Sequence, residues 1–163
     1  MNHIYLVSAC LLGVPCVYDG QGRPVDNLLS LAACGQVVPI CPEVAGGLPI
    51  PRPAVEIVGG DGGDVLDGLA RVVTEAGADV TWAFLHGAER ALAVAQQYGI
   101  TTAILRQCSP SCGSACIYDG THSGTLITGQ GVTTAFLRRH GVEVFAEADV
   151  SHILGDVVGK VRE

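Results

Sequence analysis

Ile4-Tyr5-Leu6-Val7, running straight into Ser8-Ala9-Cys10, is the stretch on which the fold turns. The run is apolar without alternation and too short for a helix, so it reads as a strand buried on both faces. The pattern returns twice. Gln36-Val37-Val38-Pro39-Ile40 stops at Cys41-Pro42-Glu43, and Thr101-Thr102-Ala103-Ile104-Leu105 leads into Cys108-Ser109-Pro110-Ser111-Cys112-Gly113. Continuous apolar strands belong to parallel sheets, whose two faces are both covered by helices.

The segments between these strands supply such helices. Residues 26–34 have a polar start and Gly35 beyond their end. Residues 79–98 place Val80, Phe84, Ala88, Ala91, Leu92 and Ala95 on one face and close at Gly99. Residues 131–140 form another helix closed by Gly141, and Val142-Glu143-Val144-Phe145 reads as a last strand. The expected fold class is α/β, a three-layer parallel sheet covered by helices (Rossmann-like), with residues 1–163 as a single domain. Residues 44–68 are dense in Gly and Pro, and they predict a long ordered loop or a small β insertion, not a helix. Gly59-Gly60-Asp61-Gly62-Gly63 lacks the Lys-Ser/Thr of a phosphate-binding loop.

Composition narrows the function. Charged residues make up 15% of the chain, apolar ones 48%, and the net charge is -7. With one lysine, Lys160, and no basic run, there is no stripe for a nucleic-acid polymer. No apolar run reaches the ~18 residues of a membrane span, and the amino end carries no basic-then-apolar leader. A cytoplasmic location and a monomer are the expectations.

Seven cysteines stand at 10, 16, 34, 41, 108, 112 and 116. An odd number in a chain expected to be cytoplasmic fits a disulfide framework poorly. Cys10, Cys41 and Cys112 each follow a strand candidate. In a parallel sheet those carboxyl-end loops share one edge, where ligands bind, so the three thiols can converge from distant positions. Taken alone, this leaves plain buried thiols open as an equal reading. Cys34 is expected in the core on its helix, and Cys16, Cys108 and Cys116 as buried neighbours. Glu43 can cap a helix, pair with Arg52, or act in chemistry. Asp19 and Asp119, each in Tyr-Asp-Gly, read as turn residues.

Longer motifs carry a resemblance. Ser8-Ala9-Cys10-Leu11-Leu12-Gly13 with Tyr18-Asp19-Gly20 comes first, then Cys41-Pro42-Glu43 with Gly46-Gly47-Leu48-Pro49-Ile50-Pro51-Arg52. Ser109-Pro110-Ser111-Cys112-Gly113, Tyr118-Asp119-Gly120-Thr121 and Gly129-Gln130-Gly131-Val132 follow in order. Over roughly residues 3–147 the chain resembles a small bacterial family once known only as a domain of unknown function, whose characterised members are thiouracil desulfidases. The resemblance implies a [4Fe-4S] cluster held by Cys10, Cys41 and Cys112 alone, with a catalytic glutamate at Glu43 and a catalytic serine at Ser109, Ser111 being the alternative. It implies a small thiolated pyrimidine substrate, converted without redox change to the oxo-base and hydrosulfide. His122 and the extra thiols at Cys16, Cys108 and Cys116 depart from the family pattern.

An open coordination position is what separates catalytic from structural metal sites, and three thiolates on a cubane leave one iron open. Two rival readings use the same thiols: a zinc-dependent hydrolase, or a non-enzymatic iron–sulfur sulfur carrier. A third uses Cys108/Cys112 or Cys112/Cys116 as a redox pair, although no Cys-x-x-Cys is present.

Overall fold

The computed structural model describes residues 3–161, with side chains through Gly155. Its centre is a parallel sheet of β1 (Tyr5–Ser8), β2 (Val37–Ile40), β5 (Thr102–Leu105) and β8 (Glu143–Ala146). The spatial order is β2-β1-β5-β8. Tyr5 to Ser8 pair in parallel with Val37 to Ile40, and Leu6 and Val7 with Ala103 and Ile104. Pro39, which has no N–H to give a ladder, is tolerated because β2 is an edge strand. The chain leaves β1 toward β2 and later returns to β5 on the other side of β1. The carboxyl ends of β1, β2 and β5 therefore surround a topological switch point, where open α/β sheets place their ligands.

Side chains alternate across this sheet as the pleat demands. Tyr5, Val7 and Ile104 point to one face, where they pack with Leu28 of α1 (Asp26–Ala33) and Val150 of α6 (Val150–Val161). Leu6, Ala103 and Leu105 point to the other, against Leu92 and Ala95 of α4 (Thr81–Gln97) and Leu137 of α5 (Val132–Arg139). The three-layer expectation is met. Among the described residues no helix is long and apolar enough to cross a membrane.

Three elements depart from the expectations. First, the Gly/Pro-rich stretch does hold a β element, β3 (Val55–Val58), which pairs antiparallel with β4 (Arg71–Thr74) just beyond the stretch, but it also holds a helix. That helix, α3 (Gly62–Leu66), forms because the Asp61 carboxylate accepts from Gly63 and Asp64 N–H while Asp64 returns the bond to Asp61 N–H. This reciprocal cap offsets the weak propensity of two glycines. Second, Cys34 is exposed and not in the core. Its helix stops at Ala33, so Cys34 becomes the cap residue and turns away from the sheet. Third, β6 (Cys116–Tyr118) and β7 (Leu126–Thr128) form a hairpin that the pattern did not reveal. All residues of β7 are exposed, which leaves no apolar alternation to read.

A one-turn helix, α2 (Pro42–Ala45), follows β2 and lies directly on α4. The approach is backbone to backbone, because a Cβ on Gly87 would collide with the Pro42 carbonyl. We expect Gly87→Ala to destabilise the fold by about 1–3 kcal/mol through overpacking. The better helix propensity of alanine, ~1 kcal/mol, offsets only part of this, since the obstacle is main chain. A denaturant midpoint equal to or above the parent's would refute it.

Candidate functional site

The three cysteine loops meet as expected. Cys10 lies in the short 3-10 turn after β1, Cys41 is the residue between β2 and α2, and Cys112 lies in the loop after β5. All three line one cavity of about 350 Å³ at the sheet's carboxyl edge, with Cys16, Glu43, Arg52, Ser109 and Ser111 around them. Cys10 and Cys112 are buried and Cys41 is half-buried.

Each loop is braced by main-chain bonds. Cys10 C=O accepts from Gly13 N–H at 3.1 Å and Arg23 N–H at 2.7 Å. Cys41 C=O accepts from Ala45 N–H as α2 begins, which fixes Cys41 at the helix cap and Glu43 within its first turn. The Cys112 loop rests on the start of α5. There Val132 N–H donates to Pro110 C=O at 2.8 Å, and the Thr134 hydroxyl donates to Cys112 C=O at 2.9 Å. A Cβ on Gly131 would strike the Ser111–Cys112 backbone, which is the physical reason for glycine in Gly129-Gln130-Gly131.

Gln107 is a residue the sequence reading missed. Its Oε1 accepts from the N–H groups of Ser114, Ala115 and Cys116 at 3.0–3.1 Å, and its Nε2 donates to the Ser114 hydroxyl. One amide side chain thus folds the loop back on itself. The only available signal was its place, directly after a strand and before a run of Ser, Cys and Gly whose N–H groups need acceptors. We expect Gln107→Leu to strand those donors and to cost about 1–3 kcal/mol or more. Protease sensitivity should rise within residues 107–116, and an unchanged digestion pattern would count against this role.

The loop corrects the cysteine reading. Cys108 and Cys116 are bonded to each other, with Cα atoms 4.8 Å apart, and Cys112 between them is free. Neither pair considered from the sequence, 108/112 or 112/116, forms. The fold-back set by Gln107 places the loop's ends side by side and turns Cys112 inward.

Glu43 and Arg52 are a buried pair. The closest N–O distance is 3.5 Å, and the side chains are 17% and 3% exposed. Arg52 also donates to Cys16 C=O at 2.8 Å and to Pro49 C=O at 3.2 Å, so it anchors the Pro-rich segment and faces the cavity at once. Burial lifts the Glu43 carboxyl above its usual range, against the opposing pull of Arg52, Ser111 and Arg106. Burial pushes the Cys112 thiol up to about 12. The Cys41 thiol is raised too, first by its hydrogen bond with Cys16 and then by burial.

The two serines differ in burial and in partners. Ser111 is 1% exposed, and its hydroxyl faces Glu43 Oε2 at 3.5 Å and Cys112 Sγ at 3.4 Å. Ser109 is half-buried on the cavity wall; its oxygen accepts from the N–H groups of Ser111 and Cys112 at 3.2 Å. The two hydroxyls lie 3.0 Å apart. Asp19 and Asp119 are turn residues, accepting from Gln21 and Thr121 N–H respectively.

Cys16, buried, is a fourth free thiol on the cavity, adjacent to Cys10 and Cys41. Among the described residues, no three His, Cys, Asp or Glu side chains converge closely enough to hold a single metal ion. A cubane several ångströms across needs its thiolates further apart than one ion does, so the spacing in this cavity fits a cluster better than zinc, while the soft donor set suits either.

An α/β sheet whose switch point is lined by free thiols and a buried carboxylate defines a class of protein that handles a soft metal group beside a small ligand. The profile of the 2-thiouracil desulfurase family matches residues 5–149, and the chain belongs to that family. It is 44% identical over 149 residues to the uncharacterized protein YbbK of Bacillus subtilis (strain 168), a match spanning 91% of this chain and 99% of that one. Among solved structures it is similar to the [4Fe-4S]-dependent thiouracil desulfidase TudS, with a TM-score of 0.85 and 45% identity over 96% of this chain and 98% of that one.

Proposed function

We propose that this chain removes sulfur from a thiolated pyrimidine of the thiouracil class without redox change, giving the oxo-base and hydrosulfide, with a [4Fe-4S] cluster held by Cys10, Cys41 and Cys112. The observation that carries the reading is that the cysteines ending three neighbouring strands share one cavity with the buried Glu43–Arg52 pair. The family and the TudS likeness support it.

When bound, a cluster with three protein thiolates supplies a Lewis-acidic iron with an affinity for sulfur. The chain's own groups do the rest. Tyr18 and Tyr118, both partly exposed on the cavity wall, offer ring faces against which a flat base stacks. Glu43 takes the proton of the water that attacks the ring carbon, and Ser109, the hydroxyl nearer the open cavity, orients that water. Ser111 and Arg52 both hold the Glu43 carboxylate through its Oε2. Ser109→Ala should lower the rate by ~10-fold, less than loss of the base itself; an unchanged rate would show that water is oriented by another group.

The test is anaerobic reconstitution with iron and sulfide, followed by incubation with 2-thiouracil and measurement of uracil and sulfide. A brown protein forming uracil in repeated turnovers supports the reading. A colourless protein that keeps zinc and forms no uracil would replace it with the hydrolase reading.

A further inference from the structure

The Cys108–Cys116 bridge takes no part in the chemistry above, yet it encloses Cys112 and reaches the same cavity. The bridge spans a sequence separation of 8, and Cys108 lies on the cavity wall with Ser109, Cys112 and Glu43. Both bridge residues are half-buried. Cys108 is held at a φ of 60°, in the left-handed region rare for side-chain residues. Gln107 holds the Cys116 N–H and so keeps the two ends of the loop together independently of the bridge. A disulfide set beside four free cysteines on one pocket is unlike the staples of small secreted domains. Outside oxidising compartments, such bonds serve in transient or catalytic roles.

A disulfide exchanges with any sulfur nucleophile that reaches one of its sulfurs. The reaction proposed above, on which this inference rests, generates one in that cavity. We propose that the Cys108–Cys116 pair captures the released hydrosulfide as a persulfide on Cys108. The hydrosulfide sulfur attacks Cys108 Sγ, a new sulfur–sulfur bond forms there, and the bond to Cys116 breaks. Cys116 leaves with the electron pair as a thiolate and takes up the proton that the hydrosulfide gives up. The incoming sulfur is oxidised and the old bridge is reduced, so atoms and electrons balance with no added oxidant. Attack falls on Cys108 because Cys116 is not on the cavity wall. The reverse step, Cys116 thiolate on Cys108 Sγ, restores the bridge and returns hydrosulfide. The pair is thus a store for one sulfur atom per chain, held in a form that an outside thiolate can collect.

The test uses cluster-loaded protein with the bridge formed, kept anaerobic and free of reductant. One arm receives sodium sulfide and another 2-thiouracil; each is acid-quenched, alkylated, digested and weighed by mass spectrometry. In the sulfide arm we expect the mass of one extra sulfur on Cys108 and an alkylated free thiol on Cys116. Exposed Cys34 serves as the unmodified control. Cys116→Ser, which removes the leaving group, should abolish the extra sulfur while uracil formation continues at the parent rate. An intact bridge, or a Cys108 without added sulfur, overturns the proposal. In the thiouracil arm, free sulfide should fall short of uracil by up to one equivalent per chain more than it does in Cys116→Ser; the same balance in both proteins also overturns it. If no uracil forms, the desulfuration reading falls, and the sulfide arm alone decides the capture chemistry.

Discussion

Replacing Cys41 with alanine is expected to strip the protein of most of its iron and to abolish turnover. Cys41 sits where β2 hands over to α2, and its C=O accepts the Ala45 N–H of that turn. Alanine keeps this backbone and removes only the thiol, so the fold should survive while one corner of the donor set is lost. Residues that merely support ligands cost 10–100-fold in affinity or activity when changed, and loss of a ligand should exceed that. Two controls sharpen the result. Cys34→Ala, at an exposed helix end, should retain full iron. Cys16→Ala should also retain it, because Cys16 lies beyond the turn after β1 and does not end a strand. Iron content and visible absorption read all three variants. Full loading of Cys41→Ala with activity intact would discard the three-thiolate assignment, and iron loss in Cys16→Ala would make the donor set four and leave no open iron.

The sheet was legible because β1, β2 and β5 are nearly continuous apolar runs and α4 carries a 3.6-residue stripe. Both are physical requirements of burial on two faces. That topology allowed Cys10, Cys41 and Cys112 to converge, with no local motif to help, and the choice of these three came from the family resemblance. Other features were not legible, for identifiable reasons. Cys34 was misplaced because helix ends shift by a residue, and one residue is enough to swing a side chain from core to solvent. α3 was hidden by its glycines, whose poor propensity is overridden by the Asp61–Asp64 cap. The bridge between Cys108 and Cys116 depends on a fold-back created by one glutamine amide, which no spacing rule encodes. The contrast between buried Ser111 and half-buried Ser109 needed coordinates, since the two do not differ in chemistry.

Glu43→Gln is expected to keep the iron and lose ~10²-fold or more in rate, the usual weight of a general base. The amide is isosteric, so its oxygen can still accept from Ser111 and Arg52, and the cavity keeps its shape. What disappears is the capacity to take a proton from water. Stability should move the other way. Glu43's folded pKa is raised by burial despite Arg52, so its contribution to stability is present below its unfolded pKa and lost as pH rises through the folded one. At neutral pH the charged carboxylate is therefore a net cost to the fold, and glutamine, which mimics the protonated form, relieves it. The melting temperature of Glu43→Gln should match or exceed the parent's at pH 7 and converge with it in acid. Such a pairing of lost activity with retained or improved stability marks a residue held for chemistry. A purely structural glutamate would show the reverse, with turnover at the parent rate and a lower melting temperature. That result would pass the role of base to another carboxylate on the cavity wall, where Glu56 is the remaining candidate.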